Sequence, residues 1–462
     1  MDIKTLLANI QNTSFSFDVN GLSLNSQTVQ KGDLFVALQG NQEHGYDYIE
    51  DAISNGCVAV LVDGKDVECS VPSIRVDNLK SYLVKLAKNL YPKANNIKLI
   101  AVTGTNGKTS VCHFISQLAT SLNIKNGVIG TLGLTSIDKK TINTTPDIFT
   151  IYSALQNYIN QGMKLVVIEA SSHALVQGRL EGLTFIQGIF TNLTQDHLDF
   201  HKNMKSYKEA KGKLFNKNSI EKAIINLDDD NHSYFLNVSS EIPTETFCNN
   251  DFSYFKSNEY GFICKLNNFV FELPLIGNFN LSNALAAYKS IRSLGYEDDN
   301  VIPKLTELSP PPGRMQKIPR KNIWIDYAHT PDALLNVLKT LKFHYPDYRI
   351  RLVFGCGGDR DKTKRQIMGK IASANANSII ITNDNPRSEK PEKICDDILA
   401  GIKVENDVQV ILDRRKAITS AVQTLGEDEV LLIAGKGHEE IQIIGSERLA
   451  FSDYEVAINA LI

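Results

Sequence analysis

A run of small, polar and cationic residues near position 104 has the composition of a phosphate-binding loop. The string Gly104-Thr105-Asn106-Gly107-Lys108-Thr109-Ser110 directly follows the apolar segment KLIAVT and precedes a helical pattern at 111–122. Its glycines let backbone N–H groups approach phosphate oxygens, and the start of the helix adds positive potential. Lys108 has the length to reach the β and γ phosphates of a nucleotide, and the Thr109 hydroxyl suits Mg²⁺. The segment therefore predicts nucleotide binding.

One position departs from the general P-loop pattern, because Val102 stands where that pattern has glycine. The alternative interpretation is an ordinary glycine-rich turn between a strand and a helix, with a surface lysine. The combination of strand, turn, Lys-Thr pair and helix favours the phosphate loop, since phosphate binding requires each of these elements.

Apolar runs followed by polar turns and helical patterns surround this loop in the sequence. The expected strands are 99–103, 165–169, 188–191 and 223–226. Continuous apolar strands of this kind are typical of parallel sheets that helices cover on both faces. Residues 253–271 alternate in character and predict a small antiparallel segment.

The clearest break in the chain is the segment from Pro310 to Gly313, which contains three consecutive prolines. Three prolines prevent a helix or central strand from running through, so we expect a domain hinge there. The strand and helix rhythm then restarts and predicts a second doubly wound α/β domain. Its expected strands are 323–326, 350–354, 378–382, 408–412 and 430–434.

The N-terminal part has its own short apolar runs at 33–38 and 58–62 and a helical pattern at 79–90. Tyr91-Pro92 punctuates the end of that helix. We therefore expect three domains, at 1–92, 93–312 and 313–462.

Two polar side chains lie at or beyond the ends of predicted strands, at the edge of the sheet that carries the loop. Glu169 ends one strand and can hold or orient Mg²⁺, and His197 follows the next strand. The alternatives are a helix cap for Glu169 and a hydrogen-bonded structural histidine for His197.

Composition and charge exclude several classes of protein. A net charge of -3 argues against a polybasic nucleic-acid binder. The N-terminus lacks the basic region, apolar core and small-residue cleavage site of a signal peptide. We expect a cytoplasmic protein with no membrane span and no nucleic-acid partner. The seven cysteines are scattered without a CxxC pair, which predicts reduced structural thiols.

Several strings in a fixed order resemble the Mur ligase family, within the superfamily that also contains the folylpolyglutamate synthases. Besides TGTNGKTS they are EASSH at 169–173, TNLTQDHLD at 191–199 and DYAHTP at 326–331. The set is similar to the MurE branch and spans nearly the whole chain. The resemblance implies an α/β fold with three domains: a small N-terminal α/β domain for a uridine-diphosphate substrate, a central P-loop ATPase-like domain and a C-terminal Rossmann-like domain for an amino acid.

The resemblance also implies an activity. It is that of an ATP-dependent ligase that adds meso-2,6-diaminopimelate to UDP-N-acetylmuramoyl-L-alanyl-D-glutamate through an acyl phosphate, in cytoplasmic peptidoglycan precursor synthesis. Mg²⁺ would be the cofactor, ATP the co-substrate and a monomer the working form.

By the same resemblance, three sets of residues are expected to bind substrates. The expected ATP contacts are Gly104, Thr105, Asn106, Gly107, Lys108, Thr109, Ser110, Asn280, Arg314 and Asp326. The expected contacts of the uridine-diphosphate substrate are Leu24, Ser26, Asn41, Gln42, Asn143, Thr144, Thr145, Ser171, Gln177 and Arg179. The expected diaminopimelate contacts are Arg360, Asp384, Asn385, Pro386, Arg387, Gly435 and Glu439. Gln27 departs from the family, which commonly has arginine directly after the serine.

The string DNPR at 384–387 is similar to the form found in diaminopimelate-adding ligases. An arginine there can pair with the carboxylate at the distal end of the amino acid, and a glutamate can bind its ammonium. The alternative is a proline turn with an exposed arginine.

The expected catalytic residues are Lys108, Glu169, His197 and Lys211, and the expected metal ligands are Thr109, Glu169, His197 and Lys211 as a carbamate. The resemblance implies a carbamylated lysine in the segment YKEAKGKLF, where we favour Lys211 over Lys213. A carbamate would turn a cation into an anion that can hold Mg²⁺. The alternative is a helix whose lysines form a solvated face.

Three other classes of function remain open. A folylpolyglutamate synthase or a D-Ala-D-Ala-adding ligase would share the superfamily, and the DNPR string argues against both. A P-loop switch or transport ATPase would hydrolyse ATP without consuming an amino acid. A silent nucleotide-binding regulator would not need the lysine, threonine and carboxylate together.

Overall fold

The computed structural model of the protein describes residues 1–40, 44–135, 143–319, 321–405 and 407–461. The chain divides into two compact units. The first unit comprises Met1–Phe247 with Lys289–Ile291, and the second comprises Cys248–Tyr288 with Arg292–Ile462. The predicted domain bounds at 92/93 and 312/313 stay predictions.

The N-terminal part of the first unit is a parallel sheet with short helices. Its strands are β1 Gly21–Ser23, β2 Asp33–Ala37, β3 Ala59–Asp63 and β4 Ser73–Val76, hydrogen-bonded in that order. Its helices are α1 Ile3–Leu6, α2 Ile49–Ser54 and α3 Leu83–Leu90, with 3₁₀ turns at Ser26–Thr28, Gly45–Tyr48 and Leu79–Tyr82. The predicted helix at 79–90 therefore begins as a 3₁₀ turn.

A larger sheet in the same unit carries the phosphate loop. Its strands are β5 Lys98–Thr103, β6 Asn126–Gly130, β7 Gly133–Leu134, β8 Leu165–Glu169, β9 Gln187–Phe190, β10 Ala223–Asn226 and β11 Thr244–Phe247. The order is β11-β10-β9-β5-β8-β6-β7, and all pairs are parallel except β6 with β7. The helices are α4 Lys108–Ser121, α5 Ile148–Asn160, α6 Ser172–Gln177, α7 Leu198–His201, α8 Met204–Gly212 and α9 His232–Val238.

This strand order brings β8 and β9 to the two sides of β5, so their carboxyl ends meet at one edge of the sheet. β5 is buried from Leu99 to Thr103 and β8 from Leu165 to Glu169, because apolar residues fill the interior of both strands. The four strands predicted in this region are confirmed, each within one residue at either end.

The second unit begins with the antiparallel sheet of β12 Phe252–Asn258, β13 Gly261–Leu266 and β14 Phe269–Leu273, as the alternating pattern predicted. Helices α10 Asn278–Arg292 and α11 Asp298–Val301 follow, with 3₁₀ turns at Asn249–Asp251 and Ile302–Glu307.

A second parallel sheet forms the rest of this unit. Its strands are β15 Gln316–Lys317, β16 Ile323–Asp326, β17 Arg349–Phe354, β18 Ser378–Ile381, β19 Asp407–Val410 and β20 Glu429–Ala434, in the order β15-β16-β20-β17-β18-β19, with only β15 antiparallel among these. The helices are α12 Pro331–His344, α13 Thr363–Asn375, α14 Pro391–Leu399, α15 Arg414–Gln423 and α16 Asp453–Asn459, and β21 Ile441–Ile444 with β22 Glu447–Ala450 forms a hairpin.

Apolar side chains fill both faces of this second sheet. Leu352 and Leu432 belong to the core on one face, and Val353 and Ile433 belong to the core on the other. This alternation produces the doubly wound arrangement that the sequence predicted. Across the described ranges, every helix is too short or too polar to cross a lipid bilayer.

Candidate functional site

The phosphate loop joins β5 to α4, and the residues after β9 hold it in place. Thr105 N donates to Asn192 O at 2.8 Å, and Asn106 N donates to Asn192 Oδ1 at 2.8 Å. Asn192 Nδ2 and Thr191 Oγ1 donate to Asn106 O at 3.0 and 2.6 Å. Gly104 has φ +155°, and a Cβ at this position would clash with Thr191 Oγ1, so only glycine allows this approach.

These bonds decide which amides can meet a phosphate. The amides of Thr105 and Asn106 already donate to Asn192, whereas Gly107 precedes the first turn of α4. The first amides of a helix have no partner within the helix. An anion at this loop would therefore be met by the N-terminus of α4, where Lys108, Thr109 and Ser110 lie.

Two lysines converge on the carbonyl oxygen of Gly104. Lys108 Nζ donates to Gly104 O at 2.8 Å and to Thr105 O at 2.7 Å, and Lys211 Nζ donates to Gly104 O at 2.7 Å. Lys211 is 1% exposed, and its ammonium lies 4.4 Å from the centre of the Tyr207 ring. Burial, together with the charge of Lys108, lowers the pKa of Lys211 well below its ordinary value. The alternative of a solvated lysine face is therefore wrong for Lys211, while Lys213 is exposed.

Glu169 lies at the end of β8 with its carboxylate at the start of α4. Glu169 Oε2 accepts from Thr109 Oγ1 at 3.0 Å, and Glu169 Oε1 accepts from Thr131 N at 2.9 Å. The side chain is 1% exposed. The alternative of a helix cap is wrong, because Ser171 caps α6 through its bond from Ala174 N. Thr109 and Glu169 thus place hydroxyl and carboxylate oxygens together, which are the ligands that Mg²⁺ prefers.

His197 belongs to a cluster of rings near Lys211. Its ring centre lies 4.8 Å from that of His173 and 6.3 Å from that of Tyr207. His197 has φ +52°, and its Nε2 lies 3.4 Å from Asp196 Oδ2. Burial is the main cause that lowers the pKa of His197, so the neutral ring is favoured. In the described part of the chain, no group of three or more His, Cys, Asp or Glu side chains has metal-holding geometry.

A second cluster on this edge contains four of the residues expected to bind the uridine-diphosphate substrate. Thr145 Oγ1 donates to Glu169 O at 2.5 Å and lies 3.0 Å from Ser171 Oγ, and Arg179 Nη1 donates to Thr145 O at 2.6 Å. Thr144 joins it through Thr131, with 3.2 Å between the two hydroxyls. Gln177 ends α6 and Asn143 is exposed.

The remaining residues of that set lie in the N-terminal sheet region. Leu24 packs against the core beside β1, and Ser26 is buried at the start of a 3₁₀ turn. Asn41 and Gln42 lie outside the described residues. The backbone carbonyl of Ser26 accepts from Asn55 Nδ2 at 2.9 Å, within the same N-terminal region.

In the second unit, two expected diaminopimelate residues share a hydrogen-bond network with Lys436. Asn385 Nδ2 donates to Glu439 Oε2 at 2.9 Å, and Lys436 Nζ donates to Glu439 Oε2 at 2.7 Å and to Asn385 Oδ1 at 3.1 Å. Burial opposes ionisation of Glu439, but the charge and hydrogen bond of Lys436, with the bond from Asn385, hold its pKa below the usual value. Glu439 is therefore a carboxylate that can accept an ammonium.

The rest of this set lies on the loops after β17, β18 and β20. Arg387 is half-buried, with φ +52°, and its Nη1 donates to Gly358 O at 2.7 Å. Arg360 is exposed on the neighbouring loop, and Pro386 is buried. Gly435 approaches Asp384, and burial raises the pKa of the Asp384 carboxyl. The alternative of an exposed arginine on a proline turn is wrong, because Arg387 binds the adjacent loop.

The three ATP contacts expected beyond the phosphate loop also belong to the second unit. Arg314 stacks on the Tyr327 ring at 4.7 Å, and its Nε is buried without a hydrogen-bond partner in the described chain. Asp326 Oδ2 accepts from Met315 N at 2.7 Å, and burial raises the pKa of Asp326 to about 6. Asn280 is 3% exposed, and its Nδ2 donates to Ile276 O at 2.8 Å.

Comparisons with known proteins agree with this geometry. Residues 18–91 match the description "Mur ligase family, catalytic domain", residues 102–291 match "Mur ligase middle domain", and residues 313–437 match "Mur ligase, glutamate ligase domain". A protein of Rickettsia conorii is 40% identical, with 95% of each chain covered. The chain belongs to the Mur ligase family.

Relatives of this Mur ligase carry one recurring name. The Rickettsia conorii protein and one of Wigglesworthia glossinidia brevipalpis, 37% identical over 96% of this chain and 95% of its own, are both named UDP-N-acetylmuramoyl-L-alanyl-D-glutamate--2,6-diaminopimelate ligase. A solved structure of that name matches with TM-score 0.67 and 33% identity, covering 100% of this chain and 98% of its own. A MurF ligase of Thermotoga maritima, solved with ADP, matches with TM-score 0.64 and 18% identity over 96% of each chain, which shows the shared fold.

Sequence reasoning missed several residues that shape this Mur ligase site. Thr131, Asn192 and Tyr207 contact the phosphate loop or Glu169, and Lys436 contacts Glu439. Thr131 follows β6, a strand that the sequence did not predict. Asn192 and Tyr207 lie inside strings that carry the family resemblance, and Lys436 lies between Gly435 and Glu439, which were expected to bind the amino acid. Proximity to predicted site residues was therefore a usable signal for these three side chains, although the partner of each was not.

Proposed function

We propose that this Mur ligase joins meso-2,6-diaminopimelate to UDP-N-acetylmuramoyl-L-alanyl-D-glutamate, with ATP converted to ADP and phosphate, in the cytoplasm. The observation that carries the proposal is the pair of sites described above. One has a phosphate loop with Lys108 and a Thr109–Glu169 contact, and the other has Arg387 beside the Asn385–Glu439 pair. The names of relatives 37% and 40% identical over nearly the whole chain support the same substrates.

The first step of the reaction would be phosphoryl transfer. The carboxylate of the D-glutamyl residue attacks the γ-phosphorus of ATP, the bond to the β-γ bridging oxygen breaks, and an acyl phosphate and ADP form. Catalysis of this step is mainly positioning and neutralisation of charge. Lys108 and the amides at the start of α4 would face the phosphate oxygens, and Arg179 would pair with an anionic group of the acid.

The second step would form the amide. The amine of diaminopimelate attacks the acyl carbon, phosphate leaves with the bonding electrons, and the ammonium proton is lost to solvent or base. Glu439 would hold the distal ammonium and Arg387 the distal carboxylate, so that the reacting amine is presented in one orientation.

The oxygens of Thr109 and Glu169 fit Mg²⁺, which would neutralise phosphate charge when bound. His197 and a carbamate on Lys211 would complete that set. The carbamate fits one further observation: within the described residues, no carboxylate lies within 4 Å of the buried Lys211 ammonium. A buried cation with no carboxylate at ion-pair distance is costly, and carbamylation would remove that cation.

Phosphate release with defined substrates tests the proposal. ATP and UDP-N-acetylmuramoyl-L-alanyl-D-glutamate are supplied with meso-diaminopimelate, L-lysine or L-ornithine, and the product mass is measured. We expect phosphate release only when acid and amine are both present, and a product mass that contains diaminopimelate. Release without an amino acid would support a switch or transport ATPase and overturn the ligase, while a lysine product would overturn the choice of amino acid.

A further inference from the structure

Two loops of the second unit carry the arginines expected to bind the amino acid. The loop after β17 contains Arg360, and the loop after β18 contains Arg387. Neither guanidinium has a carboxylate within 4 Å among the residues that the structure describes, and both donate hydrogen bonds to backbone carbonyl oxygens. Both guanidiniums can therefore receive an anionic group of a substrate.

The two loops are in direct backbone contact. Arg387 Nη1 donates to Gly358 O at 2.7 Å, and Gly358 N donates to Asn385 O at 2.9 Å. A Cβ at Gly358 would clash with Pro386 O, so glycine is needed for this approach. The position of the Arg387 side chain thus depends on where the first loop lies.

Asp359 makes a second connection between the loops. Its Oδ1 accepts from Ser388 Oγ at 2.7 Å, and its Oδ2 accepts from Ser388 N at 3.1 Å. Asp359 and Arg387 both have φ +52°, a conformation that is uncommon for residues with a side chain. Such backbone persists only when surrounding contacts hold it.

Glu389, in the segment between β18 and α14, joins both loops to helix α13. Glu389 Oε1 accepts from Asp359 N at 2.7 Å and from Arg365 Nη2 at 2.8 Å, and Oε2 accepts from Arg365 Nη1 at 3.1 Å. Arg365 is fully buried in α13, and its Nη2 also lies 3.4 Å from Gly357 O. The hydrogen bonds from Arg365 come first among the causes that lower the pKa of Glu389 to about 2, so the carboxylate is charged.

We propose that Glu389 is a positioning residue that sets the separation of the Arg360 and Arg387 guanidiniums, and through it the preference for an amino acid with a second carboxylate. The inference rests on the proposed function for the identity of that amino acid. Glu389 itself touches no substrate: it acts by holding Asp359 N, and through it the loop to which Arg387 binds.

The chain offers a matched control in Asp397. Asp397 lies in α14, and its Oδ2 accepts from Arg365 Nη1 at 2.9 Å. Glu389 binds the same guanidinium. Glu389→Gln and Asp397→Asn each remove one negative charge from Arg365. Only Glu389→Gln alters the group that accepts from the Asp359 amide.

The test measures steady-state kinetics of both variants and the wild type in the full chain. For Glu389→Gln we expect KM for diaminopimelate to rise about tenfold, since bonds to a charged group are weakened or lost. KM for ATP and kcat at saturating amino acid should stay within about twofold of the wild-type values. The variant loses only amino-acid binding that is equal in the ground state and the transition state. The preference for diaminopimelate over L-lysine in kcat/KM should fall by a similar factor, while Asp397→Asn keeps wild-type values.

Equal changes in both variants, or an unchanged KM in a folded Glu389→Gln, would overturn the proposal. Should Glu389→Gln fail to fold, Ser388→Ala takes its place, because it removes only the 2.7 Å bond to Asp359 from the exposed side of the loop. It should raise the same KM by about threefold, and no change would count against the proposal. The turnover of the wild type alone tests the proposed function. If the wild type joins another amino acid, the ratios of KM and kcat/KM between variant and wild type are measured with that amino acid in place of diaminopimelate.

Discussion

Lys211 Nζ donates a 2.7 Å hydrogen bond to the carbonyl oxygen of Gly104, although 107 positions separate the two residues in the chain. Lys108 donates to the same oxygen at 2.8 Å. The side chain at 211 therefore lies beside the phosphate loop and not on the outer face of α8. A change of charge at this position acts directly on the group that would bind the nucleotide.

The first prediction concerns this lysine. Lys211→Ala should lower turnover by at least ~100-fold, because a preorganised charge at the phosphates is lost. Added bicarbonate should not restore activity, since alanine has no amine to carbamylate. Phosphate release in the complete assay measures both effects. Lys213 is exposed on the same segment, so Lys213→Ala serves as the control and should keep wild-type turnover.

A second readout separates the carbamate from a simple cation. Wild-type protein incubated with ¹³C-bicarbonate should show a carbamate signal by NMR, and Lys211→Ala should lack it. Full activity of Lys211→Ala would remove the carbamate from the mechanism, whatever the spectrum shows.

The second prediction concerns Asn192, whose side chain accepts from Asn106 N and donates to Asn106 O. Asn192→Ala removes two hydrogen bonds, so KM for ATP should rise about tenfold. Ser116→Ala is the control, because it removes a 2.6 Å bond to Asn126 from the body of α4, away from the loop. Titration of both variants with ATP at saturating acid and amine gives the two KM values. An equal rise in Ser116→Ala, or none in Asn192→Ala, would contradict the role of Asn192.

The sequence predicted most strands of the two larger parallel sheets because buried parallel strands are largely apolar runs. β8 and β10 match their predicted bounds. It missed the strands β1, β4, β6, β7, β11 and β15, of which β6 has two glycines among its five residues and β1 has three residues. The pairing with neighbouring strands stabilises these short or glycine-containing segments, and a single-sequence pattern does not contain that information.

The sequence predicted the site residues that lie together in one continuous string. It did not predict the contacts that depend on how strands and helices pack. The phosphate loop is one continuous string, so its residues could be named. The contact between Glu169 and Thr131 joins two different strand ends, and the Arg365–Glu389 pair joins a helix to a loop. Such contacts depend on strand order and helix placement, which the composition of any one segment does not encode.

The third prediction concerns choice of the amino acid. Arg387→Ala should raise KM for diaminopimelate by about tenfold or more, because a charged hydrogen bond to the distal carboxylate is lost. L-Lysine lacks that carboxylate, so its kcat/KM should change little and discrimination should fall. Arg349→Ala, an exposed arginine at the start of β17, is the control for loss of one cation. Unchanged discrimination in Arg387→Ala would defeat this assignment.

The last prediction follows from Asp326, whose pKa burial raises to about 6, against the opposing effects of Arg314 and the backbone amides. In the unfolded chain the same carboxyl titrates near its ordinary value of about 3.9. Between these values the folded protein holds a proton that the unfolded chain has released, so the free energy of unfolding falls as pH rises. Above pH ~6 the folded protein holds this buried carboxyl in its charged form, which lowers the free energy of unfolding by about 3 kcal/mol at most for a shift of this size.

Asp326→Asn removes this titration while its amide oxygen can still accept from Met315 N. Other acidic groups titrate in the same range, so the informative quantity is the difference in Tm between variant and wild type. That difference should move in favour of the variant as pH rises from about 4.5 to 7, by several degrees for a change of this size in a domain of this length. A difference that stays constant, or that moves in favour of the wild type, would show that the folded protein does not hold the Asp326 proton in that range.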